Sequence, residues 1–388
     1  MTSKKRILFF GPIGNYGGRE VEVNLIAKSL ANVYSLSMLS TNYIHKDSFA
    51  LKAIKDFKWT LINKELYSKH LVLRFISFLS KFYNKGKDEP FNYLNNNISK
   101  KIVDLEKLTT NIIREHVSKS DVVIACVQLT SLHLDKVIAI CKALNKPIIL
   151  RTTGTIILKN IDLDKIKNAS LLLFHSQQNA DILLSKLKMP YQIIDQCTLQ
   201  ENKLLKLPIN ISKPLKFGYL GRLSEEKGIL ELVDYFSNSE HIFSVAGDGP
   251  LKSKVTEAID KSNNCSYFGF IQSKEISDFL KTIDVLIISS YEESGPLVGL
   301  EALASGKIVV STKVGAMPQR LQNTKNQFWF EITNISTLQK CIERLINLSV
   351  DEIQSIGDDN RKNYINNYAY QIIKEQYLSV VEKAILSK

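Results

Sequence analysis

The chain has 388 residues, enough for two domains of about 150 residues each, with 44% hydrophobic and 23% charged side chains, 17 Gly and 9 Pro. Those values exclude a disordered, collagen-like or linker-dominated chain, and five Cys without a CxxC pair exclude a disulfide framework or structural zinc site and point to a reducing compartment. The net charge of +12 is unevenly spread: residues 1–200 hold 29 basic and 16 acidic side chains, residues 201–388 hold 22 and 23.

A basic first half predicts an anionic partner there, a membrane surface or a nucleic acid; a generally lysine-rich surface is the plainer explanation. No apolar run reaches the ~18 residues of a membrane helix. The apolar stretch after Lys4-Lys5-Arg6 is too short for a signal-peptide core. The expected location is the cytoplasm.

From the N-terminus, residues 6–10 form an apolar run that stops at Gly11, and a helical pattern (Val21, Leu25, Ile26, Leu30) follows from about Arg19. A second strand is expected at 34–39. Further buried strands are expected at 121–126, 147–150 and 171–174, separated by helical stretches at 102–117 and 132–144. The pattern restarts at 215–220 and continues with strands at 242–246, 285–289 and 308–311. Continuous apolar runs alternating with helices predict parallel sheets covered on both faces. Residues 199–214 are polar, carry Pro208 and Pro214, and read as a linker. After Asn334 the pattern is helical to the C-terminus, and no internal repeat is visible. The expected organisation is an N-terminal Rossmann-like domain over 1–200, a linker over 201–214 and a second Rossmann-like domain over 215–368. A C-terminal helix over 369–388 could return towards the first domain. Ligands of doubly wound sheets bind at the carboxyl ends of the strands.

The glycines of Gly11-Pro12-Ile13-Gly14-Asn15-Tyr16-Gly17-Gly18, between the first strand and helix, would let backbone N–H groups meet an anion. The spacing is not GxGxxG, and the second strand lacks the terminal Asp or Glu of a dinucleotide site. A tight turn accounts for this loop equally well. In the second half, Gly218-Tyr219-Leu220-Gly221-Arg222 leads to Lys227-Gly228, so a guanidinium and an ammonium leave one loop and can converge on a pyrophosphate. Solvated surface charges are the simpler account of either residue alone. Ala246-Gly247-Asp248-Gly249-Pro250 closes another strand. The most informative stretch is Glu293-Ser294-Gly295-Pro296-Leu297-Val298-Gly299-Leu300-Glu301, ending at Gly306. Pro296 is expected at the first helical position, leaving the N–H groups of Leu297 and Val298 free. Glu293 before the helix and Glu301 inside it could accept hydrogen bonds from sugar hydroxyls while the helix end holds a phosphate. A dipole-favoured Glu and a solvent-facing Glu are the alternative.

Taken in order, Gly17-Gly18 with Glu20, Gly221-Arg222 with Lys227-Gly228, the turn ending at Pro250, Gly269-Phe270, the Glu293/Glu301 pair and Gly306 before residues 308–311 resemble the retaining nucleotide-sugar glycosyltransferases of family 4. The resemblance is strongest over 215–320. It implies α/β architecture with two facing Rossmann-like doubly wound domains, the glycosyltransferase-B fold, and a helical C-terminus. It implies that Arg222 and Lys227 neutralise the donor diphosphate, Glu301 holds the nucleotide ribose, and Glu293 lies near the donor sugar with the backbone of Gly295, Pro296 and Leu297. Gly221, Gly249 and Val298 complete the donor loops, and Phe270 and Ile271 supply backbone contacts to the base. Gly17 and Gly18 would meet the donor from the other domain after domain closure.

The chain departs from the family in several places. Arg151-Thr152-Thr153-Gly154 stands where His-Gly is common, so Thr153 and Gly154 would fill the sugar or acceptor side. Asp195-Gln196-Cys197-Thr198 replaces Asn-Gly-Val-Asp, Gln319 replaces a Glu, and Ser294-Gly295 replaces Gly-Phe. His133 and His175 read as core or surface residues. The one DxD, Asp162-Leu163-Asp164, lies among lysines, so no metal or other cofactor is expected and fixed positive charge would do that work. The resemblance implies a retaining, metal-independent hexosyl- or N-acetylhexosaminyltransferase. It would move sugar from a nucleotide-diphosphate sugar to a glycan or polyprenyl-linked acceptor in O-antigen, capsule or lipopolysaccharide biosynthesis. The rivals are a nucleotide-sugar epimerase or hydrolase on the same fold, an inactive scaffold, and a basic nucleic-acid-binding protein; no nucleic-acid motif supports the last.

Residues 67–87 contain Lys69, Arg74, Lys81, Lys85 and Lys87 and no acidic residue. At about 100° per residue Leu71, Phe75, Phe78, Leu79 and Phe82 share one helix face, with Arg74, Lys81 and Lys85 at its edge. The expectation is an anionic membrane surface bound by the N-terminal half, on the inner face of the cell membrane. An ordinary domain helix with this face in the core is the alternative.

Overall fold

The computed structural model describes the chain except residues 1–3, 53, 55, 56, 155, 160, 387 and 388. It divides into two compact units. The first holds the residues up to Phe174, Ala180–Ile193 and those from Lys374 onward; the second holds His175–Asn179 and Ile194–Ile373.

The first unit is built on seven parallel strands: β1 (Arg6–Gly11), β2 (Ser35–Ser40), β3 (Lys58–Leu61), β4 (Val122–Val127), β5 (Ile148–Thr152), β6 (Leu171–Phe174) and β7 (Tyr191–Ile193). Their order is β3-β2-β1-β4-β5-β6-β7. The interior strands are the continuous apolar runs. Every residue of β4 is buried, because helices cover a parallel sheet on both faces. The helix expected over 102–117 begins three residues later, as Leu105–Ser118, after a separate short helix Asn97–Ile102. The break falls at Asp104, whose carboxylate accepts the N–H of Lys107 and starts the second helix.

The second unit has six parallel strands: β8 (Lys216–Leu220), β9 (Ile242–Ala246), β10 (Cys265–Gly269), β11 (Val285–Ile288), β12 (Ile308–Ser311) and β13 (Phe328–Trp329). Their order is β10-β9-β8-β11-β12-β13. Leu204 and Leu207, in the stretch read as polar, pack into this unit's core with Leu300 and Leu303. The chain then runs through helices Ile335–Ile346, Val350–Asn367 and Tyr370–Leu386. Within the first unit, the Tyr377 hydroxyl of the last helix donates to Glu22 at 2.5 Å, and Glu22 also accepts from Arg151 at 2.9 Å.

Both sheets are doubly wound, and in each the order reverses beside the first strand: between β1 and β4, and between β8 and β11. Loops leaving the carboxyl ends of such a pair diverge and open a crevice.

Candidate functional site

In the second unit that crevice lies between the loop after β8 and the loop after β11. The first runs from Gly221 through Arg222 to Lys227, the second from Ser289 to Pro296. Their adjacency joins Lys227 to Glu293: the ammonium donates to Glu293 Oε1. Ser289 Oγ donates to the Lys227 carbonyl at 2.6 Å and the Tyr291 N–H to the Glu226 carbonyl at 2.9 Å, locking the two loops edge to edge. Arg222 is exposed, and its side chain makes no hydrogen bond or ion pair with any described residue. It borders a cleft of about 580 Å³ lined also by Gly221, Gly247, Asp248, Gly249, Phe270 and Ile271.

Glycine is required where these loops touch. A Cβ on Gly247, at φ +148°, would lie 1.8 Å from the Gly221 carbonyl oxygen, and one on Gly249 would lie 2.4 Å from that of Leu223. The loops after β8 and β9 therefore meet backbone to backbone, with Leu223 N–H donating to the Asp248 carbonyl at 2.9 Å.

The helix expected to begin at Pro296 begins one residue later, as Leu297–Ser305, with Pro296 as its N-cap. Proline at ψ 113° is extended rather than helical, so it ends the loop instead of opening the helix. The first intrahelical bond is from Gly299 N–H to the Pro296 carbonyl at 3.0 Å, which leaves Leu297 and Val298 as first-turn donors. Two turns' worth of sequence beyond Glu293, the Glu301 carboxyl is buried and has no hydrogen-bond partner among the described residues. Burial alone pushes its pKa up to about 7.

Three positioning residues were not legible in the sequence. Arg320 is fully buried and forks onto Asp195, Nε–Oδ2 at 2.8 Å and Nη2–Oδ1 at 2.7 Å, while Nη1 donates to the Pro296 carbonyl at 2.6 Å. Asn179 Nδ2 donates to the Ser294 carbonyl at 2.8 Å. Together they fix Ser294-Gly295-Pro296, the loop that aims the helix end. His175, read as a core or surface residue, is buried against Gly295. Breaking a buried ion pair strands the remaining charge. Arg320→Ala and Asp195→Ala should therefore each lower unfolding free energy by about 3–5 kcal/mol in urea titrations. A loss below about 1 kcal/mol would mean the pair is structurally idle.

In the first unit, Gly17 at φ 137° caps the helix Gly18–Leu30. Its loop is held from within: Gly14 N–H donates to Glu20 Oε1 at 2.7 Å, and Arg19 donates to the Pro12 carbonyl at 2.8 Å and to Thr153 Oγ1 at 3.1 Å. Thr153 and Gly154 thus lie beside the Gly17-Gly18 loop. Gly154 holds φ +77°, a backbone conformation that side chains with a Cβ rarely adopt, and lies against the Gln128 side chain. Arg74 and Lys81 lie on the helix Leu71–Tyr83, and Lys85 follows it. Asp162 is used as a helix cap, accepting the Lys165 N–H at 3.2 Å, and Asp164 pairs with Lys167 at 2.6 Å.

Residues 205–371 match the family described as glycosyl transferases group 1. The match lies within the second unit and spans less than half of the chain. The matched residues include Arg222, Lys227, Glu293 and Glu301. The chain is 36% identical over 102 residues to the putative teichuronic acid biosynthesis glycosyltransferase TuaC of Bacillus subtilis, covering 26% of this chain and 25% of that protein. It is 25% identical over 238 residues to the capsular polysaccharide biosynthesis glycosyltransferase CapM of Staphylococcus aureus, covering 52% of this chain and 60% of that one. The chain spans only 44%, 25% and 32% of the lengths of the first curated relatives it matches. Among solved structures, Anabaena Alr3699/HepE in complex with UDP and glucose superposes with a TM-score of 0.70 at 15% identity, over 97% of this chain and 99% of that one. The fold is the two-domain Rossmann-like architecture of glycosyltransferases of B type, with a helical C-terminus.

Proposed function

We propose that the protein is a retaining, metal-independent glycosyltransferase. It moves a hexosyl or N-acetylhexosaminyl group from a nucleotide-diphosphate sugar to a glycan or polyprenyl-linked acceptor in surface polysaccharide biosynthesis. It works as a peripheral protein on the cytoplasmic face of the cell membrane. One observation carries this reading. Around the crevice between β8 and β11 stand an unpaired Arg222, the Lys227–Glu293 pair and a buried Glu301 without a partner. These are groups awaiting a ligand that has both anionic and hydroxyl-bearing parts.

Transfer requires a diphosphate to leave an anomeric carbon, and negative charge grows on it as the bond breaks. Arg222, Lys227 and the N-terminal end of the helix Leu297–Ser305 supply positive potential fixed before that charge develops. The diphosphate would compete with Glu293 for Lys227, freeing the Glu293 carboxylate for a sugar hydroxyl. Glu301 would accept from the ribose hydroxyls, and the cleft beside Phe270 and Ile271 would take the base. Fixed cations take the part a divalent ion would play. The DxD aspartates have other partners: Asp162 caps a short helix and Asp164 pairs with the exposed Lys167.

The test is a thermal-shift panel of nucleoside diphosphates and their sugars, beginning with UDP and UDP-glucose because the Anabaena structure holds UDP and glucose. Ligand at about 100 times its Kd stabilises by ~2.7 kcal/mol, an easily read rise in Tm. Mass spectrometry on lipid-linked acceptors then follows, with and without chelator. No shift with any nucleotide would overturn the donor site. Donor conversion that needs no acceptor would favour an epimerase or hydrolase, and activity lost to chelator and restored by metal would overturn metal independence.

A further inference from the structure

We propose that the helix Leu71–Tyr83, with its neighbour Asn97–Ile102, lies in the plane of a bilayer and binds its anionic headgroups. This deepens the peripheral-membrane part of the reading above, but it rests on the first unit's surface and not on the donor site.

The helix is turned against the usual rule. A domain helix buries its broad apolar face and exposes a polar one. Here only Leu73, Ile76 and Ser77 are buried. The opposite side exposes Leu71 at 78%, Phe75 at 64%, Phe78 at 58% and Phe82 at 78%, with Val72, Leu79 and Tyr83 also exposed. Seven large apolar side chains on thirteen residues face away from the unit they belong to. Scattered exposed apolar residues need no explanation, but a contiguous face of this kind marks an interaction surface. The helix Asn97–Ile102 touches this one and exposes Ile98 and Ile102, one turn apart.

The charges decide what covers the face. Arg74 and Lys81 sit at one edge of the apolar arc, Lys85 and Lys87 follow the helix, and Lys100 and Lys101 are exposed on its neighbour. None of Arg74, Lys81 and Lys85 is paired with a described carboxylate. Residues 70–103 contain only two acidic side chains, Asp88 and Glu89. A second copy docking by a two-fold axis would set this basic edge against itself, with almost no acid to answer it. A lipid surface supplies both missing halves: acyl chains for the phenylalanines and phosphates for cations whose stems lie along the apolar edge. Tyr83, 87% exposed at the helix end, has the apolar body and polar tip that suit the interface. Thirteen residues span only about 20 Å as a helix, too short to cross, so the helix lies flat. No helix among the described residues is long and apolar enough to cross a membrane.

The test is vesicle flotation with the full chain, using phosphatidylcholine alone and phosphatidylcholine containing about a third phosphatidylglycerol. Wild type should float with the anionic vesicles, less so at high salt, and scarcely with the neutral ones. Phe75→Ser/Phe78→Ser/Phe82→Ser and Arg74→Glu/Lys81→Glu/Lys85→Glu should each bind about tenfold more weakly or worse. Lys203→Glu/Lys206→Glu/Lys340→Glu, on exposed residues of the second unit, should bind as wild type. All three variants should keep the thermal shift given by nucleoside diphosphate, which separates a lost surface from a lost fold or donor site. The proposal is overturned if wild type ignores anionic vesicles at low salt, binds neutral ones equally, or binds no better than the phenylalanine variant. It is also overturned if sedimentation without lipid shows a dimer that this variant dissolves, since a second copy would then be the occupant.

Discussion

Arg222→Ala should lower kcat/KM by about 30- to 900-fold, equivalent to about 2–4 kcal/mol of transition-state stabilisation. Arg222 is the one cation of the pair that the described residues leave without a partner, so nothing else in the loop takes its place. Lys227→Ala should fall in the same range but with a different signature. Its removal also releases Glu293, which then stands unpaired beside the departing diphosphate. The double variant Lys227→Ala/Glu293→Ala should therefore lose less than the two single losses added together, as expected for groups in contact. Glu293→Ala alone should chiefly lower kcat and leave nucleoside diphosphate affinity nearly unchanged, because its role is with the sugar. Steady-state kinetics on the donor identified by thermal shift checks all four proteins. Turnover within about threefold of wild type for both cation variants would remove the diphosphate assignment.

The loops that carry Arg222, Lys227 and Glu293 were legible because they follow the largely apolar strands β8 and β11. Residues 171–174, 242–246 and 308–311 were expected as strands and are strands with those same limits. The four strands not foreseen, β3, β7, β10 and β13, are the four sheet edges. An edge strand is covered on fewer sides, so it carries no continuous apolar signal: β10 alternates half-buried and exposed residues, and β13 is two residues long. The supports of the site were hidden for a different reason. Arg320 and Asp195 are 125 residues apart, and a buried arginine looks like any other helix arginine until its partner is placed. The phenylalanine-rich face at 71–82 was legible as a face, but periodicity is silent on whether such a face points inward or outward. Only the burial of Leu73 and Ile76 on the opposite side resolves that.

Glu301→Gln should make the protein more stable and less able to bind nucleotide, and both effects should depend on pH. The ordinary value of this carboxyl is 4.5, and burial in the folded chain pushes it up to about 7. Below the ordinary value both folded and unfolded states hold the proton, and the group contributes nothing to pH dependence. As pH rises from there to about 7, the unfolded chain ionises while the folded one retains its proton, so wild-type stability falls across that window. Above it the penalty is constant, about 3 kcal/mol for a shift of this size. Glutamine keeps the shape without the titration. The variant should match wild type near pH 4 and exceed it by up to about 3 kcal/mol near pH 8 in urea titrations. Nucleotide binding should move oppositely. Ribose hydroxyls donating to the ionised carboxylate favour loss of its proton, so wild-type affinity should tighten through pH 7 by more than the diphosphate's own ionisation accounts for. The variant reports that second contribution alone. Hydrogen bonds to a charged acceptor contribute about 1.5–3 kcal/mol, so the variant should bind at least about tenfold more weakly near pH 8. Calorimetry in two buffers of different ionisation heat would read the proton released on binding to wild type near pH 7 and missing in the variant. Equal affinity, equal stability at pH 8 and equal proton release would show that Glu301 is a buried structural carboxyl with no part in holding the ribose.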